Sequence, residues 1–349
     1  MQRREFIALA AGAAAAGPAL PAAKRSYRRI ATEEGWLTEG VLAANARYAA
    51  AGGRVQVMTH GGPAPRWMVD ACADIGPERI ARMDRDGIDV QLLLLSSPGV
   101  QIFSADEGSA LARDANDQLA AAIRRYPTRY AGLAALAPQD PAGAARELQR
   151  AITGLKLNGA IINSHTQNEY LSEPKYWPIL EAVEALDVPL YIHPRDPAAT
   201  LAAANVPAVS AAGWAYGIEV GTHLMHLIGA GIFDRFPRLK IVVGHMGEAI
   251  PFWLPRIDNR YLTGPKPLKR LPSEYMRSNV WITTSGMNYV EPLLLSIKVL
   301  GAERVLYAVD YPFEDQAGAV RLLEAMPLTD AQKLLFCEQN AVRLFRIRA

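Results

Sequence analysis

From Arg28 onward, short runs of β-branched residues and leucine alternate with longer stretches whose apolar residues recur three and four positions apart. The first pattern belongs to strands buried on both faces, the second to helices laid on a sheet by one face. Read this way, the chain predicts strands at 28–32, 90–95, 130–136, 159–162, 189–192, 241–243, 280–283 and 305–308. Stretches such as 106–126, 177–186 and 314–325 are the crossover helices that parallel strands require. Eight βα units imply the α/β class, and a closed (β/α)8 barrel of the TIM type rather than an open doubly wound sheet. Two stretches interrupt the alternation. Residues 48–65, with Gly52-Gly53, Gly61-Gly62, Pro63 and Pro65, and residues 194–213 read as long loops, which barrel enzymes place over their sites.

The amino terminus is a separate object. Residues 1–23 carry Arg3-Arg4, then an uncharged stretch rich in alanine, glycine and leucine, closed by Pro21 and Ala22. That is the outline of a twin-arginine signal peptide, and it predicts a periplasmic protein, with a cytoplasmic one as the alternative if the segment is an ordinary tail. The stretch is too short and alanine-rich for a membrane span, so none is expected once it is removed. A barrel domain over 27–349 remains.

Composition narrows the partners. Thirty-seven basic against 35 acidic residues give a net charge of +2 without a block of one sign, which removes the footprint of a nucleic-acid binder. No GxGxxG or GxxxxGK[ST] follows any predicted strand, which weakens nucleotide readings. Cys72 and Cys337 stand 265 positions apart, so neither a thiolate zinc site nor a disulfide framework is implied.

Candidate chemistry stands where the apolar runs end. Glu33 and Glu34 follow the first run, Asn163-Ser164-His165 the fourth, His193 the fifth, His245 the sixth, Thr283-Thr284-Ser285 the seventh and Asp310 the eighth. In a parallel barrel these ends converge on one mouth. A glutamate, histidines and an aspartate then meet around one point, a composition suited to a divalent metal and to proton transfer. Strand alternation turns Glu34 away from Glu33. His60, in the glycine-rich loop, reads as a surface residue, and His223 and His226 as members of an ordinary helix.

The motifs YIHPR around His193, VVGHMGE around His245 and YAVDYPFE around Asp310 resemble the decarboxylase branch of the amidohydrolase superfamily. The likeness is strongest to 5-carboxyvanillate decarboxylases. It continues through RIATEEGW, GPERIARMDRDGID, SSPGVQ, RYAGLAALAPQDP, NSHTQNEYL and SNVWITTSG, over nearly the whole of 27–349. The resemblance implies Glu33, His193 and Asp310 as ligands of one divalent metal. It implies His245 as a catalytic or substrate-contacting histidine, and Arg256 and Arg66 as substrate-carboxylate arginines. It also implies a homo-oligomer and a small hydroxylated aromatic carboxylic acid as substrate.

Two departures bear on this. Many members of the superfamily carry a histidine where this chain has Gly35; without it, two carboxylates and one imidazole make an oxygen-rich site that suits Mn²⁺, with Zn²⁺ left open. Phe313 stands where the resemblance leads one to expect a substrate-binding tyrosine. Two other readings stay open on the sequence: a metal-dependent hydrolase of a lactone or amide on the same barrel, and a noncatalytic exported binder of aromatic acids.

Overall fold

The computed structural model describes residues 25–53 and 56–348. The segment read as an export signal lies outside them. Nine strand segments follow in order: β1 (Ile30–Trp36), β2 (Val90–Leu95), β3 (Tyr130–Gly132), β4 (Ala134–Ala135), β5 (Ala160–Asn163), β6 (Pro189–His193), β7 (Lys240–Val243), β8 (Val280–Thr283) and β9 (Val305–Leu306). All pairings are parallel, in the orders β1-β2-β3 and β4-β5-β6-β7-β8-β9. The segments β3 and β4 are one barrel strand interrupted at Leu133. The Leu133 N–H donates back to Leu93 O (2.9 Å), and the Ala134 N–H donates onward to Gly159 O (2.8 Å).

The two sheets close on each other between the last strand and the first. Thr32 N–H donates to Tyr307 O (3.0 Å), Asp310 N–H to Glu33 O (3.1 Å) and Gly35 N–H to Tyr311 O (2.7 Å). This is the closed eight-unit barrel expected from the alternation. Every position of β1, β2, β5 and β6 is buried, as strands covered by helices outside and packed side chains inside must be.

Helix starts follow local chemistry. Ser104 caps Ala105–Arg125 by accepting from Glu107 N–H, and Asp140 caps Pro141–Thr153 by accepting from Gly143 N–H, with proline in the first turn. No helix among the described residues is long and apolar enough to cross a membrane.

Two strand ends lie two residues or more from expectation, each for its own reason. The first strand runs on to Trp36, so Glu33 and Glu34 lie within it, and β9 ends at Leu306. Polarity suggested a strand end at Thr32, but the two glutamates are fully buried and hydrogen-bonded there. The chain after Leu306 leaves regular strand geometry while still bonding to β1.

Leu190, fully buried in β6, tests the packing. Leu190→Ala is expected to cost about 3 kcal/mol of unfolding free energy, measured by urea titration. A loss below about 1 kcal/mol would contradict a close-packed interior at this strand.

Candidate metal centre

The site is built on Glu33. Between Ala31 and Glu34 the pairing of β1 with β2 shifts register, and such a bulge re-aims the side chains around it. Glu33 is fully buried. Its Oε2 accepts from three hydroxyls: Tyr191, Thr283 (2.7 Å) and Ser285. Its Oε1 has no hydrogen-bond partner among the described residues. Instead, Oε1 faces His193 Nε2 at 3.6 Å and His245 Nε2 at 3.7 Å. Burial alone would raise the Glu33 pKa, but the His245 and His193 rings and the hydroxyl donors outweigh it and hold the carboxylate below its usual range.

His193 ends β6. Its Nδ1 lies 2.9 Å from Asn163 Oδ1 and 3.0 Å from Pro194 O. Two acceptors at one nitrogen place the proton on Nδ1 and leave the Nε2 lone pair facing Glu33. Asn163 is oriented in turn, since its Nδ2 donates to Leu95 O (3.3 Å). Burial holds the His193 pKa below normal, which favours the neutral ring that a metal needs.

His245 is delivered differently. From His245 to Ala249 five consecutive residues have φ of 48°, 58°, 70°, 52° and 60°, a left-handed turn. Each non-glycine residue in that region costs roughly 1 kcal/mol. The turn is held by Gly247 N–H donating to Gly244 O (2.7 Å) and by His245 N–H donating to Ser285 Oγ (3.0 Å). It brings Glu248 beneath the ring, with Nδ1 2.9 Å from Oε1. The other nitrogen, Nε2, lies 3.5 Å from Asp310 Oδ2. Burial would lower the His245 pKa, but Glu33 and Glu248 overcome it and hold the ring well above the usual value.

Donor atoms of Glu33, His245 and Asp310 all lie within 4.8 Å of one another, with His193 beside Glu33. A buried carboxylate oxygen without a partner, flanked by imidazole nitrogens and a second carboxylate, fits a divalent cation. No sulfur joins the set. Cys72 and Cys337 are buried and free, and burial pushes both thiols up to about 12.

Over these groups lies a cavity of about 440 Å³, walled by residues including Met58, Pro65, Met68, Tyr216 and Phe313. Both stretches predicted as covering loops contribute to it. Asp196 ties them together, accepting from Gln56 N–H (2.6 Å) and Tyr216 OH (3.5 Å). The side chain missing at Gly35 has a local reason, because a Cβ there would lie 2.5 Å from Ser96 Oγ and 2.9 Å from Phe313 Cε2.

The amidohydrolase family model matches residues 73–347. The chain belongs to the amidohydrolase family. Its relatives include the γ-resorcylate decarboxylase of Polaromonas sp., 39% identical over 287 residues, covering 78% of this chain and 88% of that protein. Among solved structures, 5-carboxyvanillate decarboxylase from Sphingomonas paucimobilis superposes with a TM-score of 0.87 at 45% identity, covering 93% of this chain and all of the other. The 5-carboxyvanillate decarboxylase of Novosphingobium aromaticivorans, complexed with manganese and 4-hydroxy-3-methoxy-5-nitrobenzoic acid, gives 0.86 at 39% identity over 93% and 97% of the chains.

Within this amidohydrolase barrel, the structure brings Glu33, His193, His245 and Asp310 together and lines the cavity with Phe313. His193, expected as a ligand, has its Nε2 3.6 Å from Glu33 Oε1, and His245, expected as a catalytic or substrate-contacting residue, also stands among the donors within 4.8 Å of one another. The two arginines are not brought in. Arg256 is exposed on the Ile250–Leu262 helix, and Arg66 has a side chain 91% exposed and paired with Asp70; neither lines the cavity. Of the supporting groups, Asn163 was expected at this mouth as a strand-end residue, while sequence reading missed Tyr191 and Glu248. Only Glu248 had a signal, its i,i+3 spacing from His245.

His60 lies on the surface beside Glu39, as expected. His223 is a structural histidine: its Nε2 accepts from Leu171 N–H (3.1 Å) and its Nδ1 meets Ser164 Oγ (3.2 Å). Burial pushes His223 down to about 3, and burial with the Arg195 charge pushes His165 down to about 4.

Two outcomes follow for measurement. Gly244→Ala would drive a Cβ to 2.6 Å from Glu33 Oε2, so Mn²⁺ affinity is expected to fall about tenfold or more by electron paramagnetic resonance titration; unchanged affinity would overturn the site. Both depressed histidines stay neutral in the fold while the unfolded chain takes up their protons near pH 6.5. Stability is therefore lost as pH falls from about 6.5 toward 4, and His223→Gln should flatten that loss in urea midpoints measured across the range.

Proposed function

We propose that this protein is a metal-dependent, nonoxidative carboxy-lyase that acts on a hydroxylated aromatic carboxylic acid of the 5-carboxyvanillate type. The observation that carries this reading is Asp310 and His245 set 3.5 Å apart beside the free oxygen of Glu33, at the floor of an apolar-walled cavity. Its 440 Å³ lies in the range that encloses a substituted benzoate.

Glu33, His193 and Asp310 would hold a divalent ion, which would supply a template and a Lewis acid for the substrate's oxygens. Asp310 delivers a proton to the ring carbon bearing the carboxylate. The bond to that carboxylate then breaks, its electron pair restores the aromatic ring, and CO₂ leaves with one proton consumed. His245 Nε2 is placed to return a proton to Asp310, and Glu248 balances the ring's charge from the other side. Phe313 offers the substrate an apolar edge in place of a hydroxyl. Neither Arg66 nor Arg256 takes part in this reading.

The Arg3-Arg4 pair and the apolar stretch behind it support export to the periplasm. Exposed Trp214, Phe252 and Trp253 support a homo-oligomer.

The test is incubation with 5-carboxyvanillate, with Mn²⁺ and after metal stripping, following vanillate by chromatography. Vanillate is expected only with metal. Asp310→Asn is expected to lower turnover about 100-fold or more while a metal assay checks that the ion is retained. Full turnover by a metal-loaded Asp310→Asn variant would overturn the mechanism, and hydrolysis of lactones or amides without decarboxylation would overturn the reaction class.

A further inference from the structure

We propose that Glu34, which does not line the cavity, is the positioning residue that holds Asp310 in its working conformation. The inference rests on the decarboxylase reading for what Asp310 does, and on geometry alone for how Asp310 is held.

Glu34 is fully buried in β1, and its carboxyl meets the 309–311 segment. One carboxyl oxygen accepts from Val309 N–H (3.0 Å) and the other from Tyr311 N–H (3.0 Å), the residues on either side of Asp310. Asp310 itself has φ of +80°, a conformation that an L-residue keeps only when its surroundings over-determine it. Its own N–H donates to Glu33 O (3.1 Å), so three successive N–H groups all point at β1. A regular strand cannot do this, because its successive N–H groups point to opposite sides. The 309–311 segment instead forms a concave nest of N–H groups, the kind of backbone that collects an anion, and the Glu34 carboxyl fills it.

The nest is braced from outside. Arg79, fully buried, donates to Gly35 O (2.9 Å) and to Gln91 Oε1 (2.6 Å), and its guanidinium lies 4.7 Å over the Tyr311 ring. Burial pushes the Glu34 carboxyl up to about 8, against the pull of the two N–H donors and Arg79. Both oxygens accept hydrogen bonds and neither has an acceptor for an O–H among the described residues, which favours the charged form.

The nest gives Glu34→Gln a defined defect. The amide keeps one accepting oxygen and turns an NH₂ against the second N–H, while volume is unchanged. With a decarboxylated substrate as readout, kcat is expected to fall about tenfold or more, with KM within about twofold and Mn²⁺ affinity several-fold weaker by electron paramagnetic resonance. A variant that melts earlier but keeps the wild-type kcat and Mn²⁺ affinity in its folded fraction would reduce Glu34 to a stabilising residue and overturn the proposal. If Glu34→Gln does not fold, hydrogen exchange on the wild-type protein decides. Val309 and Tyr311 amides should be as protected as those of β2, and rapid exchange at both would overturn the nest. Absence of decarboxylation by the wild type would defeat the functional reading, while Mn²⁺ affinity and amide protection would still judge Glu34.

Discussion

The constraint on which the rest of the structure depends is the burial of the Glu33 carboxylate. Moving a charged carboxylate into a barrel interior costs several kcal/mol unless hydrogen bonds or opposite charge compensate it. Here the compensation is divided between its two oxygens. Hydroxyls from Tyr191 on β6, Thr283 on β8 and Ser285 just beyond it serve one oxygen, and imidazoles delivered by β6 and by the turn after β7 face the other. Those donors lie at least 158 positions from Glu33 in the chain and meet only because the barrel closes. Fold and site are therefore one problem: Glu33 is tolerable only in the closed ring, and ring closure between β9 and β1 runs through its own carbonyl.

The asymmetry also gives the site its chemistry. Three donors on Oε2 hold the carboxylate's orientation and leave Oε1 directed at the cavity-side imidazoles. The Asn163 contact sets the His193 tautomer, and Glu248 sets the orientation of His245. Each of these side chains is thus held by a hydrogen-bonding neighbour, the arrangement that keeps a constellation fixed during turnover.

Much of this was legible in the sequence because apolar runs report burial directly. All eight barrel strands stand where the runs stand, and the polar residues at their ends include all four groups that meet at the centre. The strand bounds failed where hydrogen bonding overrides polarity: Glu33 and Glu34 look like a strand end, yet a bulge and seven polar contacts keep them inside β1. Tyr191 could not be singled out, since a tyrosine in a strand is ordinary until the partner strand is known, and Asn163 could be placed at the mouth but not paired with His193. The left-handed His245–Ala249 turn was equally hidden, because only one of its five residues is glycine. Arg256 illustrates the converse case. A motif brought it to notice, and a single chain leaves it on the surface.

Ser285 donates to Glu33 Oε2 and also accepts from the His245 N–H that secures the left-handed turn. One hydroxyl thus serves a metal-facing carboxylate and a strained backbone at once. Alanine at this position would injure two sites together, and repairing either alone would leave the other unserved. Positions 33, 245 and 285 are consequently coupled, so that a change at Ser285 is felt at both of the others.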